Sequence, residues 1–237
     1  SRVGLLSAEN DGIWSPKCDV YLYTDPEHYA RCAGLPAETR GTSNLQIGHG
    51  RVWTRRIHMR IDQPGHLEHV LPHELTHVVL ADRFNTRQIP RWADEGIAML
   101  TEPPQRRDEL LQTIAKARQT GSMFSLRELL TAKTYPADQA RATLFFAQSV
   151  AFVDYIVSVR SQSDLIRLIE TAEGSGYDQA IGELFSSGGV AALESRWTTW
   201  LADRTRSRGT VANGTPTRSV SESADTVSYD LAVIGGN

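Results

Sequence analysis

The chain has 237 residues, of which 40% are hydrophobic and 22% are charged, and its formal net charge is -3. This is the composition of an ordinary globular domain, with enough apolar residues for one sizeable core. The sequence pI of about 6.2 does not indicate a nucleic-acid binder, since such proteins carry a strongly basic face. The longest apolar stretches, such as 144–159, are interrupted by polar residues, so we expect no membrane span.

The N-terminal part of the chain predicts a small sheet. Residues 18–24 alternate between apolar and polar side chains and predict a strand, and residues 27–33 predict a short helix. Residues 40–50 are rich in glycine and serine and predict a loop. Residues 51–62 alternate again and predict a long strand with one polar face.

After Pro64-Gly65 the apolar residues recur at helical spacing, so we expect helices in the rest of the chain. The predicted helices cover about 67–81, 92–100, 106–119, 125–131, 138–160, 163–173, 177–185 and 189–204. Because strands come first and helices afterwards, the sequence predicts an α+β fold. In it a small mixed or antiparallel N-terminal sheet packs on a mainly helical domain.

The two cysteines, Cys18 and Cys32, belong to no CxxC pair and cannot form a cysteine-rich zinc site. A Cys18–Cys32 disulfide is one interpretation for an exported protein, and two partly buried free thiols are the alternative. The sequence starts at Ser1 rather than at methionine, which we interpret as processing. Export to the periplasm or the extracellular space, with the signal removed, is compatible with these features, but they do not fix the compartment.

Residues 73–77 read His-Glu-Leu-Thr-His, an HExxH motif within the first long helix. Residues four apart share one face of a helix, so His73 and His77 can bind one metal ion. Zinc suits two neutral imidazoles, and Glu74 can act as general base toward a zinc-activated water that attacks a carbonyl. Apolar neighbours such as Val78 indicate that the motif lies on a rigid, partly buried helix, which favours a functional motif over a chance match.

A catalytic zinc needs a third protein ligand and an open fourth position. We prefer Glu95, 18 residues after His77 on the next predicted helix, where Gly96 leaves room for close helix packing. Asp94 is the neighbouring alternative and Asp82 a weaker one. Asp94 is also a candidate for orienting a ligand imidazole, because metal-bound histidines donate their other N–H to a carboxylate or carbonyl.

The segments HELTH and WADEGIA together resemble the gluzincin clan of metallopeptidases, which use HExxH and a downstream glutamate. More narrowly, VLPHELTHVVLADRF, IPRWADEGIAML and FFAQSVAFVDYI follow the order of the peptidase MA-like family, in particular its planctomycete-type members. The resemblance covers roughly residues 18–170. It implies a zincin-like fold and a peptide or protein substrate. It also implies a zinc ion held by His73, His77 and Glu95, with Glu74 as general base and acid.

One position departs from the gluzincin pattern. Related gluzincins place a tyrosine on a later helix, where it donates a hydrogen bond to the developing oxyanion, a contribution of about 2.7–4 kcal/mol. The matching place here is Phe145-Phe146, and phenylalanine has no donor. Tyr135, Tyr155 and His49 are candidate substitutes, although the helical spacing of Tyr155 favours a core role for it.

Three further expectations concern the surroundings of the motif. By the same resemblance, residues 51–61 are the expected edge strand to which an extended substrate adds its backbone. His69 shares a helix face with His73, yet a surface histidine is the preferred interpretation, and we expect His66 to be exposed as well.

The sequence therefore predicts a zinc-dependent peptidase. We prefer an endopeptidase, because the Gly-x-Met-Glu-Asn motif that holds the free amine in gluzincin aminopeptidases is absent upstream. The alternative is a catalytically weak or inactive peptidase-like zinc module that binds peptide or protein, a hypothesis that rests on Phe145-Phe146. The intact Glu74 argues against it. A structural zinc site is less favoured, since such sites prefer four protein ligands.

We expect one domain over residues 1–205. Within it the sheet takes about 12–62, the zinc-binding helices about 66–102 and a helical subdomain about 106–204. The segment 206–237 is rich in serine, threonine, glycine and asparagine and predicts a flexible tail. The sequence does not fix the oligomeric state.

Overall fold

The computed structural model describes residues 14–85, 88–186, 188–209 and 230–233. These residues fall into two compact units. The sheet unit lies within Ser1–Ile89, Thr101–Pro103 and Ala224–Asn237, and the helical unit lies within Pro90–Leu100 and Pro104–Ser223. The fold is α+β and mainly helical, which confirms the predicted class.

The elements follow the predicted order of strands before helices. They are β1 (Cys18–Tyr23), α1 (Pro26–Ala33), β2 (Gly41–Gly48), β3 (Arg51–Arg60), α2 (His66–Arg83), α3 (Arg91–Met99), α4 (Pro104–Thr120), α5 (Leu126–Thr131), α6 (Gln139–Val159), α7 (Gln162–Ser175), α8 (Tyr177–Phe185), α9 (Gly189–Gly209) and β4 (Asp230–Val233). Each predicted helix is present within a few residues of its expected ends.

The strands form one mixed sheet in the order β1-β3-β2-β4. β1 runs parallel to β3, β2 runs antiparallel to β3, and β4 pairs in parallel with β2. The expected flexible tail, 206–237, lies mostly outside the described residues and stays a prediction, as does the single domain over 1–205.

The loop predicted over 40–50 is wrong, because most of this segment forms β2. Leu45 and Ile47 alternate into the core as strand residues do. One of the small residues that suggested a loop, Gly41, instead allows close packing. A Cβ on Gly41 would lie 2.5 Å from Cγ1 of Val70, on α2, which is closer than real Cβ contacts come. Glycine therefore marks a contact here, not a turn.

The expectation that residues 51–61 form an edge strand is wrong for most of the segment. From Arg55 to Met59, β3 is paired with β1 on one side and with β2 on the other, whereas its start, up to Thr54, pairs with β2 alone among the described strands. Its predicted polar face is partly buried as well. Arg55 is 4% exposed, forms an ion pair with Asp82 at the end of α2, and donates to the carbonyl of Pro16 at 2.6 Å.

The sheet unit buries one face of its sheet against α2. Pro72 lies inside this helix and cannot donate to the carbonyl one turn earlier, and the hydroxyl of Thr76 donates to the Pro72 carbonyl at 2.8 Å. The buried core of this unit consists of Leu45, Ile47, Val52, Ile57, Met59, Val70, Val78 and Ala81. The helix that carries the HExxH motif is thus anchored by apolar residues on the sheet side.

The cysteines lie in the first two elements of the sheet unit. Cys18 in β1 is half-buried, Cys32 in α1 is exposed, and both are free thiols. The structure therefore agrees with the interpretation as two thiols, although Cys32 is more exposed than expected. Burial raises the pKa of Cys18.

The helical unit is organised around α6, which packs against α3, α4 and α7. The rings of Trp92 and Trp197 both meet Phe152 edge-on, at centroid distances of 5.2 and 5.4 Å. α6 has the length and mean hydropathy of a membrane span, and 67% of its most apolar window is buried inside the structure. A core helix has the same properties, so this composition does not by itself indicate a membrane.

Gly96 allows α3 to approach α6 closely. A Cβ at this position would lie 2.6 Å from the carbonyl oxygen of Ser149 and 2.6 Å from Cγ2 of Val153. Because a backbone atom is involved, the contact cannot relax by a side-chain rotation. This agrees with the expectation that Gly96 makes room beside Glu95.

We predict that Gly96→Ala lowers the free energy of unfolding by about 1–3 kcal/mol, the usual cost of overpacking a core. Gly174→Ala in α7 is the matched control, because a Cβ there meets nothing within 4 Å. It should be neutral or stabilise by up to about 1 kcal/mol, the helix preference for alanine. Denaturant unfolding curves measure both, and equal stabilities of the two variants would contradict the close contact.

Candidate metal centre

The HExxH residues lie on the buried face of α2. His73 and His77 are each 4% exposed, Glu74 is 1% exposed, and the two imidazole centroids are 4.9 Å apart. This follows from the helical period, since residues four apart share a face. Val70 and Val78 belong to the core of the sheet unit and hold this face inward.

A carboxylate that the sequence analysis missed lies beside the first histidine. Oε1 of Glu102 is 2.9 Å from Nδ1 of His73. Glu102 lies between α3 and α4, just before Pro103-Pro104, and no helical spacing relates it to the HExxH motif. A carboxylate at one ring nitrogen fixes the orientation of the imidazole and leaves the other nitrogen for a metal.

Glu74 lies against the backbone of β2. A Cβ on Gly41 would lie 2.9 Å from Oε1 of Glu74, so a side chain at position 41 would displace the carboxylate. The same carboxylate influences Tyr29, whose pKa is raised to about 12 by burial and, more weakly, by the charge of Glu74, while its hydrogen bond with Thr39 acts in the opposite direction. Glu74 is thus held in a confined position.

Glu95 lies in the helical unit, on α3, and is 1% exposed. The hydroxyl of Tyr135 donates a hydrogen bond to Oε1 of Glu95 at 2.6 Å, and the guanidinium of Arg91 lies 5.0 Å from the centre of the Tyr135 ring. Burial, followed by the charges of Glu95 and Asp94, raises the pKa of Tyr135 far above its usual value. The phenol therefore stays protonated and acts as a donor.

The donor atoms of His73, His77 and Glu95 all lie within 4.8 Å of one another, and the three side chains are buried. Two imidazole nitrogens and one carboxylate oxygen form the donor set of many catalytic zinc sites. The carboxylate of Glu102 at His73 is the kind of partner that zinc-bound imidazoles have. The residues present therefore fit a zinc ion.

The comparison with protein families agrees with this geometry. The model of the Peptidase MA superfamily matches residues 56–203, more than half of the chain. The chain belongs to the Peptidase MA superfamily. No curated protein matches it. Membership indicates a metallopeptidase with a protein or peptide substrate, and the buried His73, His77 and Glu95 cluster is consistent with its metal site.

The other candidate residues predicted from the sequence lie in different environments. Asp82, the weaker alternative ligand, forms an ion pair with Arg55. Asp94 is half-buried beside Glu95, and its role in orienting an imidazole stays a prediction. His49 lies on the exposed turn between β2 and β3.

The remaining tyrosine and histidine candidates lie in two different environments. Tyr155 packs its ring 5.5 Å from Trp200 and 6.5 Å from Phe152, as the preferred core role requires. His69 is exposed as expected. The expectation for His66 is wrong, because it is 5% exposed and its Nδ1 lies 3.8 Å from Asp62.

We predict that Glu102→Gln weakens metal binding by about 10–100-fold, the usual effect of removing the partner of a ligand imidazole. The matched control is Glu109→Gln, an exposed glutamate that pairs with Arg106 on α4. Competition with a chromophoric zinc chelator measures both affinities. If both variants bind zinc as the wild type does, Glu102 does not orient His73.

Proposed function

We propose that this chain is a zinc-dependent peptidase of the gluzincin type that cleaves peptide bonds within a protein or peptide substrate. The observation that carries the proposal is the buried cluster of His73, His77 and Glu95, together with Glu74 between the two histidines in sequence. Zinc would be held by these three ligands. When bound, it supplies a Lewis acid that polarises a carbonyl and acidifies water.

The residues of the chain have separate roles in this proposal. Glu74 takes a proton from the attacking water and returns it to the leaving amine, which is the work of a general base and acid. Its confinement against Gly41 supports this role, since a general base must be held within reach of its proton. Glu102, whose carboxylate lies 2.9 Å from His73, would orient that ligand.

We predict that Glu74→Gln lowers the hydrolysis of an unstructured protein such as casein by about 10²–10⁴-fold, the contribution of a general base. Zinc should be retained, because the ligand set is unchanged. The matched control is Glu68→Gln, an exposed glutamate in the first turn of the same helix. Hydrolysis by Glu74→Gln at the wild-type rate would overturn this mechanism.

The metal requirement is tested by elemental analysis of the purified protein. We expect about one zinc per wild-type chain, the number that a single three-ligand site holds. His77→Ala and Glu95→Ala should lose it, while His69→Ala, an exposed histidine on the same helix, should keep it. A chelator should abolish hydrolysis, and added zinc should restore it. Unchanged zinc in Glu95→Ala would contradict the ligand set.

A second candidate function is a zinc-containing module that binds peptide but cleaves it slowly or not at all. Two observations favour it. The rings of Phe145 and Phe146, where related enzymes have a donor, lie 6.1 and 5.5 Å from the ring of Tyr135. The Tyr135 hydroxyl itself donates to Glu95. Wild-type protein that binds a casein peptide as tightly as Glu74→Gln does, without cleaving it, would establish this alternative.

A further inference from the structure

The segment between α5 and α6 brings a single tyrosine to Glu95. Its residues 133, 134, 137 and 138 are exposed, whereas Tyr135 turns inward, and its hydroxyl lies 2.6 Å from Oε1 of the glutamate. The tyrosine ring is held between Arg91, at 5.0 Å, and the rings of Phe145 and Phe146. A largely exposed segment thus delivers one hydrogen-bond donor to the buried Glu95.

We propose that Tyr135 is a positioning residue that holds the carboxylate of Glu95 in the orientation that binds the metal. This role rests on the proposed function, because it presupposes that Glu95 is a zinc ligand. The hydroxyl engages Oε1 and so restricts rotation of the carboxylate about its terminal bond. That restriction favours binding of the metal through one oxygen rather than symmetrically through two.

Two features distinguish this contact from ordinary core packing. The first is its chemistry. A hydrogen bond from a neutral donor to a charged, buried acceptor is stronger than one between neutral groups, and it is directional. The second is its support, since the ring that carries the donor contacts groups from both α3 and α6. A tyrosine ring fixed in this way can in turn fix the orientation of the Glu95 carboxylate.

The same geometry explains why Tyr135 does not serve as the oxyanion donor in this structure. A phenol has one proton to donate, and here the Tyr135 hydroxyl donates it in a hydrogen bond to Oε1 of Glu95. Orienting a ligand and stabilising an oxyanion require the proton in two different directions. The contact therefore assigns Tyr135 to the metal ligand rather than to the substrate.

The test compares zinc affinity in wild type, Tyr135→Phe and Tyr155→Phe by competition with a chromophoric chelator. Tyr135→Phe keeps the ring that contacts Phe145 and Phe146, and circular dichroism checks that it folds. We expect its zinc affinity to fall about 10–100-fold, as removal of a partner of a metal ligand does. Tyr155→Phe also removes one tyrosine hydroxyl from the helical unit, but its ring packs against Trp200, so we expect wild-type affinity.

Two further measurements separate positioning from a general loosening of the fold. The visible spectrum of the cobalt-substituted protein reports the arrangement of the ligands, and it should change in Tyr135→Phe but not in Tyr155→Phe. Glu95→Ala, which removes the acceptor of the Tyr135 hydroxyl, should weaken zinc binding by itself. If Tyr135 acts through Glu95, adding Tyr135→Phe to Glu95→Ala should weaken the residual binding less than about twofold, since coupled residues are not additive.

The possible outcomes distinguish a failure of the Tyr135 proposal from a failure of the metal site. Equal zinc affinity and equal cobalt spectra in wild type and Tyr135→Phe would overturn the role of Tyr135 while leaving the metal site intact. The same conclusion follows if Tyr135→Phe weakens binding equally in the wild-type and Glu95→Ala backgrounds. A wild type that holds no metal would overturn the site itself, and the proposed function with it.

Discussion

Both helices that carry proposed metal ligands depend on a glycine at which no side chain fits. α2 is held against β2 at Gly41, where a Cβ would meet Val70 and Glu74, and α3 is held against α6 at Gly96, where it would meet a backbone carbonyl. Close approach of the main chains leaves little freedom for a helix to shift or rotate, because packed interiors resist small displacements. The positions of the histidines and of Glu95 follow from these two contacts.

A second set of interactions involves the side chains of the proposed metal ligands. Packing of the backbone brings His73 and Glu95 into the site, and neighbouring polar groups contact their side chains. Glu102 lies at Nδ1 of His73, and Tyr135 donates to Oε1 of Glu95. Each partner comes from the same compact unit as the ligand it contacts. The proposed ligands of the sheet unit and of the helical unit therefore each have a polar partner within their own unit. They are also buried in the absence of a metal ion.

Local periodicity explains what could be predicted from the sequence. A helix with one buried face must repeat its apolar residues at helical spacing, so α2 to α9 could be located within a few residues, and HExxH could be assigned to one helix face. Residues 40–50 were misassigned because small residues have two uses, in turns and in close packing. Only the position of Gly41 against Val70 distinguishes the two.

Local sequence patterns do not predict contacts between segments that are distant in sequence. The pairing of β3 on both sides from Arg55 to Met59 depends on which strands fold beside it, and the alternation within 51–62 is the same in an edge strand and in a central one. Tyr135 and Glu95 are 40 residues apart in sequence. Either could be suspected alone, but the hydrogen bond between them follows from the packing of the helical unit, which no local spacing encodes.

The size of the missing oxyanion interaction decides between the two proposed functions. Removing one such donor costs about 10²–10³ in turnover, whereas hydrolases accelerate their reactions by roughly 10⁶-fold or more. A polarising metal and a general base are separate contributions, and a general base, the role proposed for Glu74, contributes about 10²–10⁴. A site with His73, His77, Glu95 and Glu74 in place would therefore still accelerate hydrolysis by roughly 10³-fold or more without a tyrosine at position 145 or 146. On these magnitudes an active peptidase is the better proposal than a binding module.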